Sequence, residues 1–495
     1  MGGGLIQLVA QGFEDLYLTN EPEITFFKKI YKRHTNFSLE LIPQLFNTTP
    51  DFGKRVTCSI SKNADLLSNI YLYIELPILP KVYNLDNEIH EINTFAWTKK
   101  IGYSIINYVE LEIGGQLIDK HYGDWLNIWS ELTETRCKNS FNKMIGNVEK
   151  NYSFTNGKDG YKLYIPLKFW FCRHKGLALP LVALHFCDVK IHIEFNNLED
   201  ILITSPTHYI EVENNISHFK KDEIIYQQIG NKRIEVVNAY FDYEDNRLYY
   251  LKYNEALQSY RASSGFTKDN YKIYNSEGYF IMPKDDAIEQ NYNIEYPYVS
   301  MNSSYLLINY IFLDNQERER FSKSKHEYLI DFIQFNGEKV TYNSRQKFRL
   351  AFTQPSKEII WTSQIKELRS GFIKDFYNYT DKLVDGSSLV KNSRLLLNGQ
   401  ERTISRNFSY YNYINPYKYH SNIPNNGINI YSFSSNPENE QPTGSCNFSK
   451  IDDIVLELDI DKSITYNNPA IVRVYSNAYN IFRIINGLGA VAFSN

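Results

Sequence analysis

The ten histidines and five cysteines of this 495-residue chain are the side chains best suited to hold a metal ion. His185 and His192 lie seven residues apart in a strand-like pattern, which places them on opposite faces, and neither belongs to an H-E-x-x-H motif. The cysteines contain no C-x-x-C pair. His34, His326 and His420 stand beside polar turns and are typical of hydrogen-bonded surface or loop histidines. The sequence therefore predicts no metal site.

Nucleophile and phosphate-binding motifs are missing as well. No G-x-S-x-G elbow occurs, and the G-x-G at Gly487–Gly489 has no following helix whose N-terminus could bind a phosphate. Neighbouring carboxylates, such as Asp452 with Asp453 or Glu317 with Glu319, are typical of solvated faces or salt bridges. A catalytic role for such a pair in a glycosidase remains an alternative, because the distance between two carboxylates is set by the three-dimensional fold. We expect no enzymatic activity and no cofactor.

The balance of charge argues against a polyanionic partner. Lys and Arg number 53 and Asp and Glu 57, so the chain lacks a broad basic footprint, and we expect no direct, specific binding of nucleic acid. The basic residues from Lys28 to Arg33 suit the C-terminal end of a helix, with contact to nucleic acid or lipid headgroups as the alternative. No apolar run approaches about 18 residues, and the scattered cysteines favour a reducing compartment.

Most of the elements that would position the residues named above are predicted to be β-strands. Apolar and polar residues alternate in six stretches: 70–76, 108–113, 189–195, 427–434, 454–460 and 470–476. Helical periodicity occurs in three places: 20–33, 125–132 and the segment that begins near Asp314. The polar, Tyr-rich stretch from about 200 to 303 has neither period and is predicted to be a long loop insertion. With 40 Tyr and 30 Phe, which favour sheets, the chain is predicted to be mainly β with two strand-rich blocks.

Several blocks, spread along the whole sequence, carry a family resemblance. They are GGGLIQLVAQGFEDLYLT (2–19), ITFFKKIYKRHTNF (24–37), FWFCRHKGLALPLVALHFCDVKIHIEF (169–195), YIFLDNQERERFSKSKHEYLI (310–330), KEIIW (357–361), LNGQER (397–402), NIPNNGINIYSFSSNPENEQPTGSCNFSKID (422–452) and VRVYSNAYNIFRIINGLGAVAFSN (472–495). In this order they resemble the major capsid proteins of nucleocytoplasmic large DNA viruses, including those of the mimivirus, phycodnavirus and iridovirus groups.

The resemblance implies two consecutive eight-stranded antiparallel jelly rolls in one chain, a double jelly-roll with short helices and long loop insertions. It divides the chain into an N-terminal arm (1–24), a first jelly roll (25–322, with the insertion at about 200–303) and a second jelly roll (323–495). It also implies a structural function in which homotrimeric, pseudo-hexagonal capsomers tile the icosahedral shell of the virion. Assembly is expected in the host cytoplasm, with the insertion on the outer face of the capsomer.

The resemblance also implies that the N-terminal arm has a role in assembly. It implies that the arm lies on the inner side of the capsomer, near minor capsid and penton proteins and the internal viral membrane. Apolar residues of the arm would bury against those partners, whereas three residues of the following helix would pack beneath the first jelly roll. The residues concerned are Leu5, Ile6, Leu8, Val9 and Leu16 in the arm and Phe26, Phe27 and Ile30 in the helix.

Two other functions fit parts of the sequence. A carbohydrate-binding β-sandwich protein would use the abundant aromatic side chains and should expose them along one sheet face. A minor capsid component usually has one jelly roll, and the two strand-rich blocks argue against it. Association into a trimer would separate the structural function from the carbohydrate-binding one.

Overall fold

The computed structural model of the protein describes most of the chain. The described residues are 9–10, 19–29, 31–81, 95–135, 138–204, 208–213, 218–219, 223–230, 232–242, 246–252, 266–268, 271–289, 298–370, 374–381, 386–466 and 468–493.

Eight strands in the first part of the chain form an antiparallel jelly roll. In chain order they are β1 (Phe37–Gln44), β2 (Arg55–Ser59), β3 (Leu66–Leu76), β4 (Ile106–Ile113), β5 (Gln116–Tyr122), β6 (Tyr161–Pro166), β7 (Val189–Phe195) and β8 (Ser303–Leu313). One sheet has the order β1–β8–β3–β6 and the other β2–β7–β4–β5. Because side chains alternate along each strand, the inner faces of both sheets, with Leu72, Val109 and Ile191, meet in one core.

The second part of the chain repeats this arrangement strand for strand. Its strands are β9 (His326–Phe335), β10 (Arg345–Arg349), β11 (Pro355–Ile365), β12 (Val390–Leu397), β13 (Gln400–Asn407), β14 (Ile428–Ser432), β15 (Ile454–Ile460) and β16 (Ala470–Ile485). The sheet orders β9–β16–β11–β14 and β10–β15–β12–β13 match those of the first roll position by position. The predicted double jelly-roll is confirmed. The limits 25–322 and 323–495 remain predictions, and the strands of each roll lie within them.

The stretch between β7 and β8 is a folded sheet rather than the long loop predicted from the sequence. Its seven strands are His208–Glu211, Ile224–Ile229, Lys232–Asp242, Arg247–Lys252, Ile273–Tyr274, Phe280–Ile281 and Ile288–Glu289. Ile225, Val236 and Leu248 belong to a core that is separate from the core of the first roll. Three of these strands have only two residues, which is too short for a period-two pattern to be visible in the sequence.

The helices are short and lie in the connections between strands. Those with matching sequence periodicity are α1 (Gly123–Thr133) and α2 (Asn315–Lys323). The others are Ile101–Ser104, Lys138–Met144, Glu149–Tyr152, Trp170–Arg173, Leu198–Ile201, Lys366–Ser370 and Asn415–Tyr419, the last preceded by one π-helical turn at Tyr410–Ile414. Short strands at Phe95–Trp97, Leu179–Pro180, Leu202–Thr204, Lys339–Thr341, Cys446–Asn447 and Leu488–Val491 complete the elements. In the described ranges, every helix is too short or too polar to cross a membrane.

The helix predicted at 20–33 is absent from the described residues 20–29 and 31–33. Turns and bends occupy this stretch, and Glu21 has a left-handed backbone (φ 48°) directly before Pro22. A helix of this length needs tertiary packing to be stable in water. Phe26 and Phe27, which would have to supply that packing, are exposed. The prediction is therefore wrong, because local capping signals alone do not hold so short a helix.

α1 joins the two rolls because it carries apolar side chains on two faces. Leu126 packs into the core of the first roll. Four others pack with residues on the outer face of the β9–β16–β11–β14 sheet: Trp125, Ile128, Trp129 and Leu132. The rings of Trp125 and Tyr475 lie 5.5 Å apart between centroids. A helix of the first roll thus covers a sheet face of the second.

Buried charges accompany this apolar contact. Asp124 Oδ2 lies 2.8 Å from Arg369 Nη1 and 3.3 Å from Arg473 Nε, and Arg473 Nη2 lies 2.7 Å from Glu338 Oε1. Burial alone would raise the pKa of Asp124, but the two guanidinium groups outweigh it and hold that pKa below its usual value. These four side chains line a cavity of about 200 Å³ between the rolls. Asp124 and Arg473 are the buried members, and both are paired, as burial requires.

His420 is the centre of a second buried polar cluster. Its Nε2 lies 2.8 Å from Glu358 Oε2 and its Nδ1 lies 3.1 Å from Glu438 Oε1, while Asn477 Nδ2 donates to Glu358 Oε1 at 3.1 Å. Burial would lower the pKa of His420, but the carboxylates, chiefly Glu358, outweigh it and raise the pKa to about 9. His420 is a hydrogen-bonded loop histidine, as predicted, but it is fully buried.

Replacing His420 should destabilise the protein in a pH-dependent way. The folded-state pKa of about 9 lies above the ordinary value of 6.5, so protonated His420 stabilises the fold fully below about pH 6.5 and loses this contribution as the pH rises through 9. In His420→Gln the buried Glu358 charge is unpaired, a change that costs about 3–5 kcal/mol. Denaturant titrations should therefore show a large loss of unfolding free energy at low pH and a smaller one at high pH. The exposed His185→Gln is the control, and a loss that is independent of pH would contradict the prediction.

The insertion should be removable without loss of the two rolls, because the turn at 51–53 holds both of its ends. Gly53 N donates to Asn196 O at 3.1 Å, and Met301 N donates to Asp51 Oδ1 at 3.2 Å. A chain in which a Gly-Ser linker replaces residues 205–297 should fold and melt within about 4 °C of the full chain, as followed by circular dichroism.

A substitution within the insertion core provides the matched control. Val236→Asp places a charge among apolar residues and should unfold the insertion sheet alone. Failure of the shortened chain to fold would show that the insertion is part of the scaffold of the first roll.

Candidate assembly surfaces

The structure places three of the eight predicted arm and helix residues. Those that lie outside the described residues are Leu5, Ile6, Leu8, Leu16 and Ile30. Val9 is exposed, and Phe26 and Phe27 are 91% and 98% exposed. The expectation that Phe26 and Phe27 pack beneath the first roll is wrong for the single chain, because without a helix no common face presents them to the roll. Their part in assembly stays a prediction.

Exposed apolar side chains continue from this segment along β1. Phe37, Leu39 and Leu41 share one face of the strand, and all three are exposed. β1 is also the outermost strand of its sheet, and its one strand partner among the described residues is β8. Both the face and the edge of this strand are therefore open to another chain.

The outer face of the β1–β8–β3–β6 sheet carries a row of tyrosines. Tyr305 of β8 pairs with Tyr73 of β3, which in turn pairs with Tyr164 of β6. The rings of Tyr305 and Tyr73 stack at 4.5 Å, and those of Tyr73 and Tyr164 meet edge to face at 5.1 Å. Burial by its neighbours, and then the charge of Glu75, raise the pKa of Tyr73. Tyr164 and Leu41, at the two sides of this face, are 38% and 51% exposed.

On the corresponding outer sheet face of the second roll, the central side chains are buried. The matching cross-strand trio there is Tyr475 of β16, Ile360 of β11 and Ile430 of β14. All three are fully buried, and they belong to the cluster that includes Trp125 and Trp129 of α1. Covering by α1 therefore accounts for the difference between the two faces.

A further exposed apolar surface follows β13 of the second roll. Tyr411 points into the core of that roll, where its hydroxyl lies 3.0 Å from Thr403 Oγ1. On the helical turns that follow, Tyr413, Ile414 and Tyr417 stand one turn apart and remain exposed, with Tyr417 at 80%. No local sequence pattern marks this surface, because only the fold determines which of the many tyrosines remain exposed.

The side chains considered for chemistry are dispersed. His192 Nδ1 lies 2.8 Å from Thr57 Oγ1 and its Nε2 lies 3.0 Å from Glu112 Oε2, whereas His185 contacts Ser322 on α2. Within the described part of the chain, no group of three His, Cys, Asp or Glu side chains could hold a metal ion. These histidines act as hydrogen-bonding groups between neighbouring elements.

The carboxylates noted in the sequence belong to separate ion pairs. Asp453 Oδ1 lies 2.7 Å from Arg349 Nε, and Glu319 pairs with Lys323 one turn later on α2. The predicted salt-bridge role is confirmed for these two residues. Exposed pairs of this kind add little stability.

The sequence matches two models of known protein families over most of its length. The family model described as the major capsid protein N-terminus matches residues 25–244, and that of the large eukaryotic DNA virus major capsid protein matches 317–490. Probable capsid protein 4 of Acanthamoeba polyphaga mimivirus is 42% identical over 513 residues. The major capsid protein of Pyramimonas orientalis virus is 33% identical over 522 residues. Both alignments cover 100% of this chain and 100% of the relative.

A solved structure shares the fold. The crystal structure of PBCV-1 VP54, fitted into a reconstruction of the virophage Sputnik, matches with a TM-score of 0.63 and 24% identity, over 95% of this chain and 100% of that one. The two family models together span most of the sequence, and the relatives match it from end to end. The resemblance found in the sequence is thus confirmed, and the chain belongs to the major capsid protein family of large eukaryotic DNA viruses.

Proposed function

We propose that this chain is the building block of an icosahedral virion shell, in which three copies form a homotrimeric capsomer of pseudo-hexagonal outline. The observation that supports this best is the strand-for-strand equivalence of the two rolls. Three copies around one axis present six similar rolls, and six similar sides suit a hexagonal lattice of capsomers. The names of the relatives, capsid protein and major capsid protein, support the same function.

The exposed apolar surfaces favour association of copies. Soluble monomers rarely leave contiguous apolar patches of more than a few hundred square ångströms in water. Here such side chains occur on β1, on the tyrosine row and after β13, as Leu41, Tyr164 and Tyr417 illustrate. Aromatic side chains in particular are enriched at the centres of protein interfaces.

The N-terminal arm is proposed to contact partners that are present only in the assembled virion. Val9, Phe26 and Phe27 are exposed in the single chain, so their burial must come from another molecule if it occurs. Minor capsid and penton proteins and the internal viral membrane are the proposed partners, and assembly in the host cytoplasm is proposed with them. Shell contacts of this kind should form late, since strong early contacts would polymerise free subunits.

Carbohydrate binding is the second candidate function, and one observation favours it. Sugars stack on exposed aromatic rings, and Tyr305, Tyr73 and Tyr164 form a row on one sheet face. In an assembled capsomer the same row would serve as an interface. We propose that the protein has no enzymatic activity, in keeping with relatives that are named for a structural function.

The purified full-length chain should be a trimer at micromolar concentration. Its mass should be three times the 58.1 kDa of one chain, because obligate interfaces bury about 2,000 Å² or more of apolar-rich surface. Sedimentation equilibrium gives this mass directly. A stable monomer would contradict the capsomer, and a monomer that also binds an immobilised oligosaccharide would favour the second candidate.

Trypsin should cut free trimers after Lys28 or Lys29, because both residues are exposed in a stretch of turns. The same bonds should be protected in assembled shells, where partners cover the segment. Mass spectrometry of the fragments reports both states.

The matched control is the double variant Phe26→Ser/Phe27→Ser. It should still trimerise, because these rings are almost fully exposed in the single chain, but its shells should lose the protection at Lys28. Equal cleavage of wild-type trimers and shells would show that the segment has no assembly-dependent partner.

A further inference from the structure

The helical connection of each roll occupies the same place in the chain. α1 follows β5, the fifth strand of the first roll, and the helical turns Tyr410–Tyr419 follow β13, the fifth strand of the second. Both connect the last strand of one sheet to the last strand of the facing sheet. The two segments are therefore structural equivalents, and what one of them does can be compared with what the other does.

α1 uses two faces, one for each roll. Leu126 packs into the first roll, and the face with Trp125 and Trp129 covers the outer sheet face of the second roll. That covered face is built on the cross-strand trio of Tyr475, Ile360 and Ile430.

The segment Tyr410–Tyr419 has the same two faces, but only one of them is used. Tyr411 is 1% exposed in the core of its own roll. The other face, with Tyr413, Ile414 and Tyr417, has no covering element among the described residues and is exposed. On this exposed face, the Tyr413 hydroxyl donates a hydrogen bond to Asn426 Oδ1 at 2.8 Å.

The outer sheet face of the first roll corresponds to the sheet face that α1 covers in the second roll. Tyr305, Tyr73 and Tyr164 occupy the same strands, in the same cross-strand order, as the trio that α1 covers in the second roll. In the single chain the row is open at Tyr164. Among the described residues, α1 thus makes one helix-on-sheet contact, whereas the outer face of Tyr410–Tyr419 and the Tyr164 side of the first-roll sheet remain exposed.

We propose that the segment Tyr410–Tyr419 of one copy packs on the tyrosine row of the first roll of a second copy, as α1 packs on the second roll within each chain. This inference rests on the proposed trimer and names its interface. Contacts then alternate, one within a chain and one between chains. A head-to-tail contact of this kind forms a closed ring when its rotations sum to a full turn, and three copies with two rolls each provide six such steps.

Tyrosine labelling of the wild-type protein tests the contact without any substitution. In hydroxyl-radical footprinting of the trimer, Tyr417, which is 80% exposed in the single chain, should react several-fold more slowly than Tyr466, which is 81% exposed between β15 and β16. If Tyr417 of a trimer reacts as fast as Tyr466, the proposed interface is wrong although the trimer stands. If the wild-type chain is a monomer, the proposed function fails and this inference fails with it.

Charge substitutions test the energetics of the same contact. Tyr417→Glu and Tyr164→Glu should each weaken the trimer about 30-fold or more, because a charge would be buried in an apolar interface. The control Tyr466→Glu should leave it unchanged. Both test variants should keep the circular dichroism of the wild type, since the replaced side chains are exposed in the single chain. A folded Tyr417→Glu variant that trimerises like the control would overturn the proposal.

Mixed trimers of two variants, each with one added cysteine, show whether the contact joins different copies. A short bis-maleimide should link Tyr164→Cys chains to Tyr417→Cys chains in mixed trimers, and it should link neither variant to itself above the background that the five native cysteines give in the wild type. Linkage of each variant to itself, or no linkage in mixed trimers, would overturn the proposed pairing.

Discussion

A jelly roll buries one face of each sheet in its own core, and any apolar side chains on the opposite face need a cover from elsewhere. In the second roll that cover is α1, whose residues Trp125 and Trp129 lie on Ile360 and Tyr475. Large aromatic side chains buried in this way contribute several kilocalories per mole, roughly 3–5 for Trp or Phe when truncated to Ala. This contact ties the two rolls together, because α1 is anchored in the first roll by Leu126.

Charges beneath α1 make this contact specific. Apolar packing alone tolerates small rotations, whereas Asp124 must reach both Arg369 and Arg473 at once. A buried charge that loses its partner costs far more than a misplaced methyl group, so other angles between the rolls are strongly disfavoured. The His420 cluster on the same sheet face adds a second set of directional bonds. Fixed geometry of this kind is what a subunit needs if its two rolls, repeated in three copies, are to occupy six nearly equivalent positions.

The sequence reveals the strands far better than the surfaces. Alternation over 189–195 and 454–460 identifies β7 and β15 almost to the residue, because strands with one buried face must alternate. The helix predicted at 20–33 fails, since capping residues signal where a helix could begin but not whether anything packs against it. The assembly surfaces could not be found in this way, because burial of one tyrosine and exposure of another depend on partners more than 100 residues away, as Tyr73 and Tyr305 show. For the same reason no local pattern announces the pairing of Asp124 with Arg369.

The outer sheet faces of the two rolls differ in chemistry, and the difference agrees with the time at which each face is covered. The second-roll face is covered as soon as the chain folds, and it holds paired charges such as Glu358 and Arg473, which would be costly to cover later. On the first-roll face, the central cross-strand trio consists of tyrosines: Tyr73 is buried between its neighbours, whereas Tyr164 keeps an exposed apolar ring that ends in a polar hydroxyl. A tyrosine row can therefore remain in water before assembly and still supply apolar area when a second chain covers it. The corresponding sheet faces of the two rolls are thus suited to a cover within the chain in one case and, we infer, to a cover from a neighbouring chain in the other.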